Sequence, residues 1–171
     1  MMNSVDKKSL KRIRPKPGDV LEINFSDRTR SYAHISNIGS LVIFYDYKGQ
    51  DQLSLDEIVL LPLAFRVWVY NDVLKSGRWP RVGNIKSDIL FENPHFYKQD
   101  HITGVLSIYH DDYADTNYER PATLSQIEGL ERAAVWDAQH VEDRLESYFK
   151  GEECKWLTPL NHDLMPDWQR K

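Results

Sequence analysis

The sequence has one cysteine, no long apolar run and no glycine-rich segment, and each of these absences excludes a class of protein. Cys154 has no second thiol for an internal disulfide, and one thiol without metal-spaced partners does not define a zinc site. The longest apolar run, 58–65, is interrupted by Pro62 and is far shorter than the roughly 18 residues that a membrane span needs. The glycines are isolated and form no phosphate-binding loop. We therefore expect no disulfide, no metal or nucleotide cofactor and no membrane span.

The chain has 171 residues, which fits one domain of ordinary size. Charged residues and no apolar segment stand near its N-terminus, so we expect no secretory signal and a protein that stays in the cytoplasm. Residues 1–16 are polar and basic, which predicts a flexible basic leader. Residues 17–171 are predicted to form a single α+β domain, because large apolar side chains recur through them.

Charge is distributed unevenly along the chain, whose formal net charge is -4. Up to Arg30 there are eight basic and four acidic residues, whereas from His110 onwards there are fourteen acidic and seven basic residues. An acidic face repels nucleic acid phosphates and speeds the encounter with a basic partner. An ordinary solvated surface explains the same pattern, and the sequence leaves both interpretations open.

Alternating apolar and polar residues predict several β-strands. The first covers 19–25, and 32–38 and 41–47 follow it after short turns, as in an antiparallel meander. Further strands are predicted at 64–70, 102–109 and 133–136. Consecutive strands with short turns favour a mainly antiparallel, curled, barrel-like sheet.

Capping residues predict where the helices lie. Ser54, which a glutamate follows three residues later, matches a capping box, and Gly77 is placed to end a second short helix. Asp137 is the predicted N-cap of a longer amphipathic helix that ends before Gly151. The predicted fold class is therefore α+β, with short helices and one longer C-terminal amphipathic helix.

The best case for an enzyme lies between residues 95 and 112. This region contains histidines and aspartates, residue types that bind metals or transfer protons: His95, Asp100, His101, His110, Asp111 and Asp112. Their spacing matches no compact motif, and the last three follow a predicted strand, where successive side chains point to opposite sides. No nucleophile-elbow motif is present, and no histidine stands near Cys154 in the sequence. These features favour a binding protein over an enzyme.

A small nucleic-acid-binding or regulatory module is the alternative that the basic leader suggests. The leader carries six basic residues: Lys7, Lys8, Lys11, Arg12, Arg14 and Lys16. Small barrels with such leaders bind RNA, although a solubilising tail explains the same residues. The acidity of the rest of the chain, and the lack of a strand that pairs aromatic with basic residues, argue against a nucleic acid partner.

Four segments between Lys16 and Trp156 form an ordered set. They are KPGDVLEI at 16–23, IFYD at 43–46, FRVWV and LKSGRW within 65–79, and AVWDAQHVEDRL at 134–145. Each segment alone is a weak signal, but their order is more specific. Together they resemble the immunity protein 26 family of bacterial polymorphic toxin systems.

This resemblance implies a protein that binds and neutralises a cognate toxin, with no catalytic residues to carry over. It implies packing and turn roles for Trp68, Trp79 and Trp136. Aromatic anchors ringed by polar groups are typical of tight interfaces, and acids fit a basic toxin such as a nuclease. We expect the polar loop after 102–109 to be mobile and to order on binding. The toxin-binding candidates come from this loop and from the outward face of the C-terminal helix: Asp111, Asp112, Tyr113, Asp115, Tyr118, Glu119, Glu142, Asp143 and Glu146.

Overall fold

The computed structural model describes residues 11–157, which form two β-sheets and four helices. In chain order the strands are β1 (Asp19–Asn24), β2 (Arg30–Ile35), β3 (Leu41–Tyr45), β4 (Leu63–Val69), β5 (Arg81–Asn84), β6 (Phe96–Gln99), β7 (Leu106–Tyr109), β8 (Glu119–Pro121), β9 (Glu131–Arg132) and β10 (Val135–Trp136). The helices are α1 (Leu55–Ile58), α2 (Asn71–Ser76), α3 (Leu124–Ile127) and α4 (Ala138–Lys150). A 3-10 turn covers Asp88–Phe91.

The larger sheet is built on the predicted meander. β1, β2 and β3 pair antiparallel in sequence order, β4 joins β3, and β5 pairs with the other edge of β1. β10 pairs parallel with β4, which gives the order β10-β4-β3-β2-β1-β5. Nearly every residue of β2 and β3 is buried, since elements cover both faces of this sheet.

Each face of the larger sheet has its own core. On one face Phe44 and Val67 pack with Val141 and Leu145 of α4 and with Trp79. On the other face a second apolar cluster joins β1, β2 and β3 to α1 and the 3-10 turn: Val20, Tyr32, Ile43, Tyr45, Ile58 and Leu90. The apolar face of the predicted amphipathic helix, which includes Val141 and Leu145, therefore packs on the sheet and covers the first core.

The smaller sheet has the order β8-β7-β6-β9, with β9 parallel to β6. α3 covers one face through Ile127, which packs with Tyr97, Leu106 and Ile108. On the opposite face, Phe96 and Tyr109 pack against the larger sheet in a cluster that includes Trp68 of β4.

The α+β class is confirmed, but a curled, barrel-like sheet is not. Over residues 11–157 the strands form two separate sheets, and the edge strands β5 and β10 of the larger sheet do not pair with each other. The strand predicted at 102–109 begins only at Leu106, because the Asp100 carboxylate accepts the amides of Ile102 and Thr103 and bends the chain into a turn.

The predicted helix caps are confirmed. Ser54 forms the capping box of α1, and the Asp137 carboxylate accepts the amide of Gln139 at the start of α4. Gly77 and Gly151 end α2 and α4 in the left-handed conformation, with φ of 77° and 69°.

The predicted leader lies partly outside the described residues, which begin at Lys11. The part that is described contacts the fold. The Ile13 amide donates to the Lys75 carbonyl over 3.1 Å, and the Ile13 side chain packs against the first core, on the α4 face of the larger sheet. The Pro17 carbonyl accepts a hydrogen bond from the Asn84 side-chain amide at 3.1 Å, which holds the chain beside β5.

A bidentate ion pair connects α4 to the smaller sheet. The Arg144 guanidinium donates to both carboxylate oxygens of Glu131 in β9, each over 2.8 Å. The guanidinium also lies 4.0 Å from the ring centroid of Phe65 and 4.9 Å from that of Trp136. Arg144 is buried, so its charge depends on these partners for compensation.

A fully buried histidine connects the end of β2 to its neighbours. His34 Nε2 lies 3.1 Å from the Gly18 carbonyl and 2.9 Å from the Ile85 carbonyl, so this nitrogen carries the hydrogen and donates. Nδ1 then accepts from the Tyr45 hydroxyl at 3.0 Å. Burial lowers the pKa of His34 below its ordinary value of 6.5, although its carbonyl partners and the nearby Asp19 oppose this shift.

We expect this histidine to make the fold less stable in mild acid. Above the ordinary pKa both folded and unfolded chains hold His34 neutral, so the ring adds no pH dependence. Below it the unfolded chain binds a proton that the folded chain resists, so the free energy of unfolding falls as the pH drops from about 7 to 5. Urea unfolding across this range measures the fall. His34→Gln should flatten it, and an equally steep fall in that variant would contradict the assignment.

A second prediction concerns the buried Tyr97 hydroxyl, which has no hydrogen-bond partner among residues 11–157. Burial raises the pKa of Tyr97, in keeping with its apolar surroundings. Tyr97→Phe removes an unpaired polar group and keeps the ring, so we expect the free energy of unfolding to rise by about 0.5–1 kcal/mol. Urea denaturation measures the change, and a decrease would show that the hydroxyl has a partner.

Candidate functional site

The acidic loop, residues 110–118, connects β7 to β8 at one edge of the smaller sheet. It contains two successive turns. The Asp112 carboxylate accepts the Ala114 amide at 3.0 Å, and the Asp115 carboxylate accepts the Asn117 amide at 2.9 Å. The Tyr118 carbonyl accepts the His110 amide at 2.9 Å and closes the loop. The segment predicted to be mobile thus has a conformation defined by its own hydrogen bonds.

Tyr109, the last residue of β7, contacts one side of the acidic loop. Its hydroxyl donates to Asp111 Oδ1 over 2.6 Å and lies 3.0 Å from the Tyr113 hydroxyl. The ring is buried, with the Lys98 ammonium 3.5 Å from its centroid and Trp68 on another side. Burial, together with the bonds to Asp111 and Tyr113, raises the pKa of Tyr109, so the hydroxyl stays protonated and able to donate.

His110 contacts the other side of the acidic loop. Its Nδ1 accepts the Asp112 amide at 3.2 Å and lies 3.1 Å from the Asn93 side-chain amide. The hydrogen is therefore on Nε2, which donates to Asp115 Oδ2 over 3.2 Å. The pKa of Asp115 is lowered by the Asn117 amide and by His110. Because successive residues of a strand point to opposite sides, Tyr109 and His110 approach the loop from different sides.

Glu119 of β8 is paired within the fold. It lies 3.0 Å from Lys98 and accepts the Ser107 hydroxyl at 2.9 Å. The bond from Lys98 is the main cause of the lowered pKa of Glu119. This candidate therefore stays ionised, with much of its charge neutralised by a neighbour.

The helical pattern predicts that the acids of α4 are exposed, but the structure shows them half-buried. Glu142 is half-buried, accepts the Trp79 indole N–H at 2.8 Å, and pairs with Arg78 at 2.6 Å. Asp143 accepts the Trp156 indole N–H at 2.9 Å, which is the main cause of its lowered pKa. Both carboxylates hold indole rings in place. Glu146 is half-buried.

Three consecutive candidates, residues 111–113, stand at the start of the acidic loop. Asp112 is exposed, and the Tyr113 side chain is 67% exposed. Asp111 uses Oδ1 for the Tyr109 hydroxyl and has a second carboxylate oxygen. Tyr118 is half-buried, and the centroid of its ring lies 4.9 Å from that of Tyr113, so the two rings are in contact. We call residues 111–113 the loop tip.

The histidines and aspartates that make the best case for an enzyme are only partly brought together. The rings of His95 and His110 lie 5.2 Å apart beside Asp115, whereas Asp100 and His101 lie in the exposed turn between β6 and β7. Within residues 11–157, no three His, Cys, Asp or Glu side chains are grouped as metal ligands. Cys154 is buried past the end of α4.

Two open grooves lie beside the Lys98 side chain. The larger, about 650 Å³, runs over the uncovered end of the smaller sheet between the β6–β7 turn and β8. The smaller, about 240 Å³, lies between the two sheets and is lined by Trp68, Tyr109 and Val135. Trp79 and Trp136 are buried and Trp68 is half-buried, in keeping with packing roles.

No helix within residues 11–157 has the length and apolarity needed to cross a bilayer. The described fold is α+β and displays a loop of acids and tyrosines at one edge of its smaller sheet. Comparison with known protein families identifies the family. A family model described as Immunity protein 26 matches residues 16–104, about half of the chain, and the chain belongs to this family. No curated protein and no solved structure matches it.

The family match ends in the turn between β6 and β7. It covers the meander, β4, β5 and β6 but not the acidic loop or α4. Of the four segments that carry the sequence resemblance, three lie within the match, and 134–145 lies beyond it. The residues Tyr109, His110 and Lys98, which organise the loop, were not among the sequence candidates for toxin binding.

Proposed function

We propose that this chain binds a cognate bacterial toxin in the cytoplasm and neutralises it through a protein–protein interface, without catalysing a reaction. Membership of the immunity protein 26 family is the observation that carries this proposal. A protein of this kind works by mass action, because toxin held in a tight complex is withdrawn from its target.

We place the recognition surface at the loop tip, 111–113. Its two carboxylates directly precede an exposed tyrosine in the sequence, and aromatic side chains ringed by polar groups are typical interface anchors. Glu119, Glu142 and Asp143 are engaged within the fold and are secondary candidates. In this proposal the loop tip offers the toxin negative charge next to an aromatic ring.

A basic toxin fits this chemistry. Lysine and arginine side chains form charge-assisted hydrogen bonds with carboxylates and stack on tyrosine rings. Enzymes that act on nucleic acids carry such side chains around their active sites, since they bind phosphates. A nuclease is accordingly the toxin type that we propose.

Co-expression with the neighbouring open reading frame tests this function. We expect that reading frame alone to stop growth of the host and the pair to restore it. The two proteins should then co-purify as a complex that survives gel filtration. Full growth inhibition in the presence of this protein, with both proteins expressed, would refute the proposal.

A matched control separates binding from general protection. Asp111→Lys with Asp112→Lys should abolish rescue, whereas Glu152→Lys with Glu153→Lys should not. The second pair consists of two consecutive exposed acids past the end of α4, so the change in net charge is the same. If rescue is lost equally in both variants, the loop tip is not the recognition surface.

A further inference from the structure

The acidic loop is attached to the fold by side chains from outside it as well as by its own turns. Its external contacts come from Tyr109 at the end of β7 and from Asn93, while His110 links the base of the loop to its middle. In a short polar loop without such bonds, exposed carboxylates and an exposed tyrosine sample many conformations. These contacts therefore restrict the residues that we propose to meet the toxin.

We propose that Tyr109 and His110 are positioning residues that hold the acidic loop in its toxin-binding conformation before the toxin arrives. This inference rests on the proposed function. Neither side chain is displayed to a partner, because both residues are buried, with exposures of 7% each. Their role is to fix where Asp111, Asp112 and Tyr113 point.

The Tyr109 hydroxyl fixes the tip through its contacts with Asp111 and Tyr113. Both residues belong to the loop tip, so one hydroxyl sets the spacing of a carboxylate and a phenol. The Tyr109 ring cannot easily turn away, because Lys98 lies over it and Trp68 packs beside it. Rigid support of this kind favours a single loop conformation.

His110 fixes the backbone of the same loop. Its Nδ1 accepts the Asp112 amide, and its Nε2 donates to Asp115, which begins the second turn. The imidazole therefore connects both turns of the loop to one buried ring. Asn93 approaches Nδ1 from outside the loop and helps hold the ring orientation.

A preformed loop lowers the cost of binding, because the side chains lose less freedom when the complex forms. This lower conformational cost does not depend on the net charge of the loop, so preorganisation differs from electrostatic steering. Steering acts on the association rate, whereas loss of preorganisation in a formed interface acts mainly on the dissociation rate. The two contributions are thus separable by kinetics.

The test uses Tyr109→Phe and His110→Ala in the full chain, with the toxin identified by growth rescue as the binding probe. Tyr109→Phe keeps the ring and every charge but removes the hydroxyl. We expect dissociation about tenfold faster, with the association rate and its salt dependence within twofold of the wild type. His110→Asn, whose side-chain oxygen can accept the Asp112 amide, should recover part of the loss in His110→Ala.

Hydrogen exchange of the free protein tests the same inference without a toxin. The amides of Asp112 and Ala114 should exchange faster in Tyr109→Phe, while those of β2 and β3 should keep their wild-type rates. Tyr97→Phe is the matched control, because Tyr97 lies on the opposite face of the same sheet and its hydroxyl has no partner among residues 11–157. It should leave both loop exchange and toxin dissociation unchanged.

The outcomes separate this inference from the proposed function. If the wild-type protein binds no toxin but loop exchange accelerates in Tyr109→Phe, the proposed function fails, whereas the role of Tyr109 in fixing the loop conformation stands. If the toxin binds and its dissociation from Tyr109→Phe is unchanged, the positioning role fails while the function stands. Loop exchange that does not respond to either substitution would overturn the inference outright.

Discussion

Reversal of the two charges at the loop tip is expected to slow toxin association by about 10- to 100-fold at low ionic strength. Asp111→Lys with Asp112→Lys changes the local charge by four units at the loop tip, where Asp112 is exposed and Asp111 is half-buried. The long-range attraction of a basic toxin then becomes repulsion. Stopped-flow association measured between low and high salt quantifies this effect, which should shrink as salt screens the charges.

The pair Glu152→Lys and Glu153→Lys is the control for this prediction. These consecutive exposed acids follow α4, so the same change in net charge is made at a site far from the acidic loop in the sequence. We expect a change of less than threefold in the association rate. Equal slowing in both variants would mean that net charge, rather than the loop tip, governs the encounter.

The second large effect is expected at the ion pair between α4 and β9. Glu131→Ala leaves the buried Arg144 guanidinium without its carboxylate partner, beside the rings of Phe65 and Trp136. Breaking a buried pair from one side costs about 3 kcal/mol in the free energy of unfolding. Urea denaturation with far-ultraviolet circular dichroism measures this loss.

Replacement of both partners is the informative comparison. Arg144→Met with Glu131→Leu removes the charges together and fills the site with apolar side chains, so we expect it to recover most of the stability lost in Glu131→Ala. A double variant as unstable as the single one would show that hydrogen-bond geometry, rather than an uncompensated charge, determines the loss.

Local signals in the sequence were sufficient for much of the fold. The strands of the meander and the caps at Ser54, Asp137, Gly77 and Gly151 depend on neighbours only a few residues away, so they are visible in the chain itself. The division into two sheets is not local. The parallel pairings of β9 with β6 and of β10 with β4 join distant segments, and a local pattern such as that at 133–136 does not show which strand a segment pairs with.

The place of the acidic loop after a strand could be predicted from the sequence, but the contacts of its side chains could not. The acids and tyrosines of 110–119 stand out in the sequence as a polar stretch after a strand. The bonds that divide them into engaged and free residues come from Lys98, Asn93 and Tyr109, which the fold brings beside the loop. Similarly, the helical period placed Glu142 on an outer face, but Trp79, far away in the chain, covers it.

The short segment that contains β9 and β10 has a consequence for how the protein is made. Glu131 and Arg132 join the smaller sheet, Val135 and Trp136 join the larger one, and α4 follows at once. While the nascent chain is on the ribosome, the edge of β4 and the apolar face beneath α4 stay uncovered until this segment has been synthesised. The meander is therefore completed only when β10 and α4 dock, and partly folded chains with uncovered apolar surface are prone to aggregation.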